Sequence, residues 1–300
     1  MRLLLPTVVL LLLCACHEAP RAREFNGAGA FHYIETQVAF GPRIPGTEAH
    51  RRGAEWLDSL LRLRADTVIA QRFDHVTASG DTLHLTNYIA RFKPAAAQRI
   101  LFLAHWDSRP RADSPTSPDS TKPVMGANDG GSGVALLLGV ADVLKAHPPT
   151  IGVDLLFDDG EDYGDFTKAP DDVLIGSRYY AAHQLPGPKP LYAVLFDLIA
   201  DKDLQIWQEG NSLTGAPEVV QLVWETAGDL GYKKYFVDSP RHTLIDDHLE
   251  LQKVGIRAID VVDFDYPYWH TPQDTIDKVS AASLQIVGDV AVALVRREGG

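Results

Sequence analysis

From residue 99 onward, short apolar runs alternate with longer stretches of helical periodicity. Residues 100–104, 153–157, 193–198 and 258–262 are the runs, and residues 131–145, 174–182, 217–230 and 281–295 carry the helical spacing. Runs this short and this apolar suit strands buried on both faces, and a helix between each pair makes the strands parallel. The expected fold is therefore α/β, one domain with a mixed, mostly parallel, twisted central sheet flanked by helices. In such sheets a ligand site lies beyond the carboxyl ends of the strands.

The earlier part of the chain supplies the edges. Within residues 49–64, Trp56, Leu57, Leu60, Leu61 and Leu63 mostly recur at helical spacing, which predicts an amphipathic helix. Residues 68–92 alternate around Ser79-Gly80-Asp81, which predicts a hairpin at a sheet edge. The Pro-, Ser- and Asp-rich stretch 110–123 fits either a flap over a site or a plain insertion, the plainer being the insertion.

The chain opens with Met-Arg, runs apolar to Leu13 and continues Cys14-Ala15-Cys16-His17-Glu18. A basic start, a short apolar run and small residues at the break describe a secretory signal rather than a lasting membrane span. Ala15 before Cys16 resembles the lipobox of bacterial lipoproteins, in which that cysteine carries the lipid. We expect residues 1–16 to be a signal peptide with lipobox, 17–30 a tether, and 31–300 the catalytic domain. The protein is then exported, a periplasmic or cell-envelope lipoprotein that meets the membrane only through Cys16. Both cysteines lie in this leader, so no disulfide staples the domain and a hydrophobic core must hold it. A net charge of -12 argues against nucleic acid and anionic membrane surfaces as partners.

Five residues with metal-binding side chains, His105, Asp129, Asp162, Asp197 and His270, stand where apolar runs give way to loops, and Glu161 directly precedes the middle one. Imidazoles and carboxylates to hold an ion, with one unliganded carboxylate to move a proton, are the parts zinc chemistry on an amide requires. Each segment alone has a plainer reading. In His105-Trp106-Asp107 the histidine fits a strand cap as well as a ligand. Asp129, among glycines before a helix, fits an N-cap as well as a ligand. Asp158, Asp159, Glu161 and Asp162 fit an acidic surface turn or a cation site, calcium included, although the histidines favour zinc. Asp197 sits inside an apolar run, where a carboxylate needs a metal or a hydrogen-bonded neighbour. His248 in Asp246-Asp247-His248 suits a supporting or helix-start position. Tyr266, Tyr268 and Trp269 before His270 fit a pocket wall or plain packing.

HWDS, GANDGGSG, DDGED, FDLI, DDH and WHT, in this order and after the early FGPRIPG, resemble the zinc aminopeptidase and glutaminyl cyclase superfamily. The resemblance covers roughly residues 30–298. It implies a zinc enzyme acting on peptide or protein N-termini. In the aminopeptidase branch two zinc ions would use His105, Asp129, Asp162, Asp197 and His270, with Asp129 bridging. In the cyclase branch one zinc would use Asp129, Asp162 and His270, leaving His105 and Asp197 as a second site only in the aminopeptidase case. Asp246, Trp269 and Gly176-Ser177-Arg178 match the cyclase pattern; there Glu161 moves the proton, Asp197 and Asp246 share one, and Trp269 walls the pocket. The tryptophan that animal cyclases carry after their acidic pair has no counterpart in residues 162–169. The expected activity is therefore glutaminyl-peptide cyclotransferase, a dinuclear aminopeptidase the alternative, and an inactive surface binding protein the remaining rival.

Overall fold

Four short apolar runs, each separated from the next by a helix-length segment, become parallel neighbours because only a tight turn could pair them as hairpins. The computed structural model describes residues 23–298. In chain order its elements are α1 (Gly27–Phe40), α2 (Glu48–Arg62), β1 (Thr67–Val76), β2 (Thr82–Phe92), β3 (Arg99–His105), α3 (Gly131–Ala146), β4 (Gly152–Asp158) and α4 (Ile175–Ala182). There follow β5 (Ala193–Asp197), β6 (Ile206–Gln208), α5 (Gly210–Gly215), α6 (Pro217–Asp229), β7 (Phe236–Pro240), α7 (Asp247–Lys253), β8 (Ala258–Val262) and α8 (Ala281–Glu298). The main sheet has the order β1-β2-β4-β3-β5-β8, parallel from β4 through β8, with β2 antiparallel to both β4 and β1. The expected α/β domain with a mixed six-stranded sheet is what forms, with the hairpin at its edge.

Period-two alternation sends Ile100, Phe102, Val194, Phe196 and Ile259 into a large core with α1, α3, α6 and α8. Leu101, Leu103, Leu156, Leu195 and Ala258 point the other way, against Tyr180 of α4 and Leu251 of α7. The same alternation carried one step further puts His105, Asp158 and Asp197 on the α4/α7 side at the carboxyl ends of β3, β4 and β5. The site is thus placed by the strands themselves.

The expected tether needs correction over residues 27–30, which are the first turn of α1, capped by the Asn26 side chain on the Gly29 N–H. Phe25 is already core: a β-carbon on Gly139 would stand 2.6 Å from its ring and one on Gly288 2.3 Å. Residues 1–22, on which the expected leader with Cys14 and Cys16 falls, lie outside the described residues. Among the described residues no helix is long and apolar enough to cross a membrane. The short parallel pair β6/β7 and the single-turn α5 are not legible in the sequence, because a three-residue strand shows no period.

Candidate metal centre

The glycine-rich segment before α3 turns sharply, with Gly126 and Gly130 at φ 68° and 74°. Asp274 fixes it by accepting from the N–H groups of Asn128 (2.9 Å) and Asp129 (3.1 Å). The N-cap of α3 is Gly130, with no side-chain capping bond, so Asp129 is not the cap and its carboxylate is free to face inward. The acidic loop after β4 is likewise no surface turn: Asp158, Asp159, Glu161 and Asp162 are all buried. Asp159 is taken up by the His50 imidazole (2.8 Å) and the Thr86 N–H (2.8 Å). Asp107 holds the loop in place, accepting from the N–H groups of Glu161 (3.1 Å) and Asp162 (3.2 Å). His270 is presented from a left-handed backbone (φ 52°), an uncommon conformation for a histidine.

These segments bring two sets of donors together, His105 with Asp129 and Asp197, and Asp129 with Asp162 and His270. Within each set the ligand atoms lie within 4.8 Å of one another. His105 Nε2 stands 3.3 Å from Asp129 Oδ1 and 3.3 Å from Asp197 Oδ1. His270 Nε2 stands 3.3 Å from Asp162 Oδ1 and 3.7 Å from Asp129 Oδ2. Asp129 therefore faces both sets with different oxygens. Its Oδ2 and the Oδ2 of Asp162 are buried without a hydrogen-bond partner, which is costly unless a cation takes them up. Mixed imidazole and carboxylate donors at this spacing fit a divalent transition metal.

Electrostatics divide the cluster. Burial, then the charge of Asp162, hold the Glu161 carboxyl well above the usual range. Burial and Asp162 likewise push Asp129 up to about 6. Burial would raise Asp162 too, but the charges of Arg109 and His270 hold it far below an ordinary carboxylate. Burial works against protonation of His270, yet Asp162 and Asp113 outweigh it and bring the imidazole to about 9. Burial, then Asp197 and Asp247, hold Asp246 well above its usual value.

A cavity of about 250 Å³ opens onto Asp129, Glu161, Asp197, Asp246 and His270. Trp269 lines it and stacks on His270 at 3.8 Å. Phe166, from the stretch that lacks the animal tryptophan, lines it as well. His248 lies apart, fully buried in α7, with Nε2 3.3 Å from Glu209 Oε2.

The pattern described as Peptidase family M28 matches residues 87–295. The chain belongs to peptidase family M28. It is 30% identical over 302 residues to aminopeptidase YwaD of Bacillus subtilis (strain 168), an alignment covering 93% of this chain and 59% of that protein. Among solved structures it resembles Tannerella forsythia glutaminyl cyclase, with a TM-score of 0.86 and 37% identity over 90% of this chain and 98% of that one. It also resembles a Zn-dependent exopeptidase from Parabacteroides distasonis, with a TM-score of 0.86 and 34% identity over the same shares, 90% and 98%.

Four residues of this M28 site carry no signal in the sequence reading. Asp274 shapes the Asp129 turn and accepts from the Tyr266 hydroxyl (2.7 Å). Phe166 is a single aromatic residue in a stretch with no period of its own, yet it lines the cavity. Asp113 comes from the stretch 110–123 expected to be a plain insertion, and Arg109 directly precedes it; the stretch is instead bound to the site, with Asp113 Oδ1 accepting from His270 Nδ1 (3.1 Å).

Proposed function

We propose that this M28 protein is a zinc-dependent glutaminyl-peptide cyclotransferase, which closes N-terminal glutamine to pyroglutamate and releases ammonia. The observation that carries this reading is Asp246. It is buried in the same cavity as Asp197, and among the described residues neither carboxylate pairs with a lysine or arginine. Burial and then the charge of Asp197 hold the Asp246 carboxyl well above its usual value, which suits the cyclase pattern, in which these two positions share a proton and leave a poor ligand for a second metal ion. One zinc on Asp129, Asp162 and His270 then suffices. The likeness to a glutaminyl cyclase at 37% identity supports the same reading.

Zinc, when bound there, supplies Lewis-acid polarisation of the substrate's γ-carbonyl. The rest is done by side chains of the chain itself. Glu161 takes the proton of the α-amine as it attacks the γ-carbon, and returns it to the amide nitrogen that leaves as ammonia. The Asp197 and Asp246 pair holds that nitrogen through its shared proton. Trp269 and Phe166 wall the pocket against water and orient the glutamine side chain. Peptide or protein N-termini are the substrates. An exported lipoprotein anchored at Cys16 is the setting, on the strength of the N-terminal sequence pattern alone.

One observation favours an aminopeptidase instead: the set of His105, Asp129 and Asp197 is close enough to hold a second ion bridged by Asp129. Mass spectrometry of a Gln-headed and a Leu-headed peptide incubated with the zinc-loaded protein decides between them. Loss of ammonia from the Gln peptide alone is expected. Removal of the first residue from either peptide would make the protein a hydrolase.

A further inference from the structure

We infer that Arg109 and Asp113 form a clasp that positions two metal ligands, Asp162 and His270. This rests on the metal assignment made above, but holds for either reaction. Arg109 is almost wholly buried and grips Asp113 with two hydrogen bonds, Nε to Oδ1 and Nη2 to Oδ2, both 2.7 Å. Its Nη1 donates to Asp162 Oδ1 (2.5 Å) and to the Asp162 carbonyl (3.1 Å). Asp113 Oδ1 accepts from His270 Nδ1 (3.1 Å), and the next residue, Ser114, donates its N–H to the His270 carbonyl (3.2 Å). The base of the loop is closed by Val124 N–H on Arg109 O (3.0 Å) and Ala112 N–H on Lys122 O (2.8 Å).

Each contact has a consequence for the metal. With Nδ1 carrying the proton toward Asp113, Nε2 keeps its lone pair and faces Asp129 and Asp162. Arg109 holds Asp162 Oδ1 while Oδ2 is buried without a hydrogen-bond partner, so the guanidinium fixes the way in which this carboxylate faces His270. A guanidinium this close to a ligand repels a dication, and Asp113 neutralises it. Asp113 is thus a positioning residue with two tasks, orienting His270 and screening Arg109.

The test is zinc affinity of the purified protein by competition with a chromophoric chelator, with the visible spectrum of the cobalt(II)-loaded protein as a second readout. Asp113→Ala should weaken zinc binding about 10–100-fold and shift the cobalt bands. Asp113→Asn, which keeps an acceptor for Nδ1 and the same shape, should lose less. Asp119→Ala is the control: Asp119 caps the same loop through the Thr121 N–H (3.0 Å) and hydroxyl (2.6 Å) and does not touch the ligands. It should stay within about twofold of the unsubstituted protein, against the range for Asp113. Equal losses in Asp113→Ala and Asp119→Ala would reduce the effect to loop integrity and overturn the clasp. So would unchanged affinity and unchanged cobalt bands in Asp113→Ala. Failure of the unsubstituted protein to take up zinc would instead overturn the metal assignment beneath it.

Discussion

Glu161 lines the cavity yet belongs to neither ligand set, although its neighbour Asp162 does. It is buried, and its Oε2 lies 3.8 Å from His105 Nδ1, beyond hydrogen-bond reach. A group in that position is free to carry a proton, and burial beside Asp162 makes it hold one more strongly than an ordinary glutamate. Glu161→Gln keeps the shape and removes the base. We expect zinc content to stay at the unsubstituted level while ammonia release from a Gln-headed peptide drops about 10²–10⁴-fold. Retained turnover would take the proton-transfer role away from Glu161.

At the scale of elements, the site depends on how closely α3 approaches the sheet. A β-carbon at Gly133 would stand 2.3 Å from the Phe196 carbonyl oxygen, so only glycine lets the helix start that near to β5 and carry Asp129 alongside Asp197. On the far side of α3, Phe25 wedges against Gly139 and against Gly288 of α8, locking α1, α3 and α8 into one layer. Phe25→Ala leaves a hole between two glycines that have no side chain to fill it. It should cost about 3–5 kcal/mol in urea unfolding. A loss under about 1 kcal/mol, far below that range, would mean that the layer closes over the gap.

For the whole molecule, the burial of so many acids makes stability depend on pH and on metal together. In the metal-free fold burial raises Asp129 to about 6 and Asp274 to about 7 from an ordinary aspartate value of 3.8. Asp263, away from the site, is also raised to about 7, by burial and then Asp201. Between about pH 4 and 7 the unfolded chain therefore releases protons that the folded chain keeps, and stability falls as pH rises. His270, raised to about 9, continues the same slope above 6.5. Asp162, held low, acts in the opposite sense, but only in acid. A bound dication favours the ionised cluster and cancels most of the slope. Chelated protein should thus unfold at lower urea at pH 8 than at pH 5.5. Zinc at about a hundred times its Kd should restore roughly 2.7 kcal/mol at pH 8. A chelated protein equally stable at both pH values would contradict this account.

What the sequence determined by itself is local and periodic. Apolar runs of five or so residues specify strands, the helical stretches between them make those strands parallel, and the polar residue two places beyond Leu103 or Leu195 must emerge at the strand end on the same face. His105 and Asp197 were legible for that reason. Asp129 was ambiguous, because an aspartate before a helix is a good cap; only the turn at Gly130 and the grip of Asp274, across 145 residues of chain, decide that it faces inward. The clasp was invisible for the same cause. Asp113 meets His270 across 157 residues, and an acidic residue in a Pro- and Ser-rich loop looks the same whether it ends in water or against an imidazole. Phe25 falls within the expected tether because one aromatic residue has no period, and its burial exists only once α3 and α8 each present a glycine to it. Local sequence could choose elements and the ends of strands, whereas the partners that orient each ligand were chosen by the tertiary fold, since they are contacts between segments that share no local pattern.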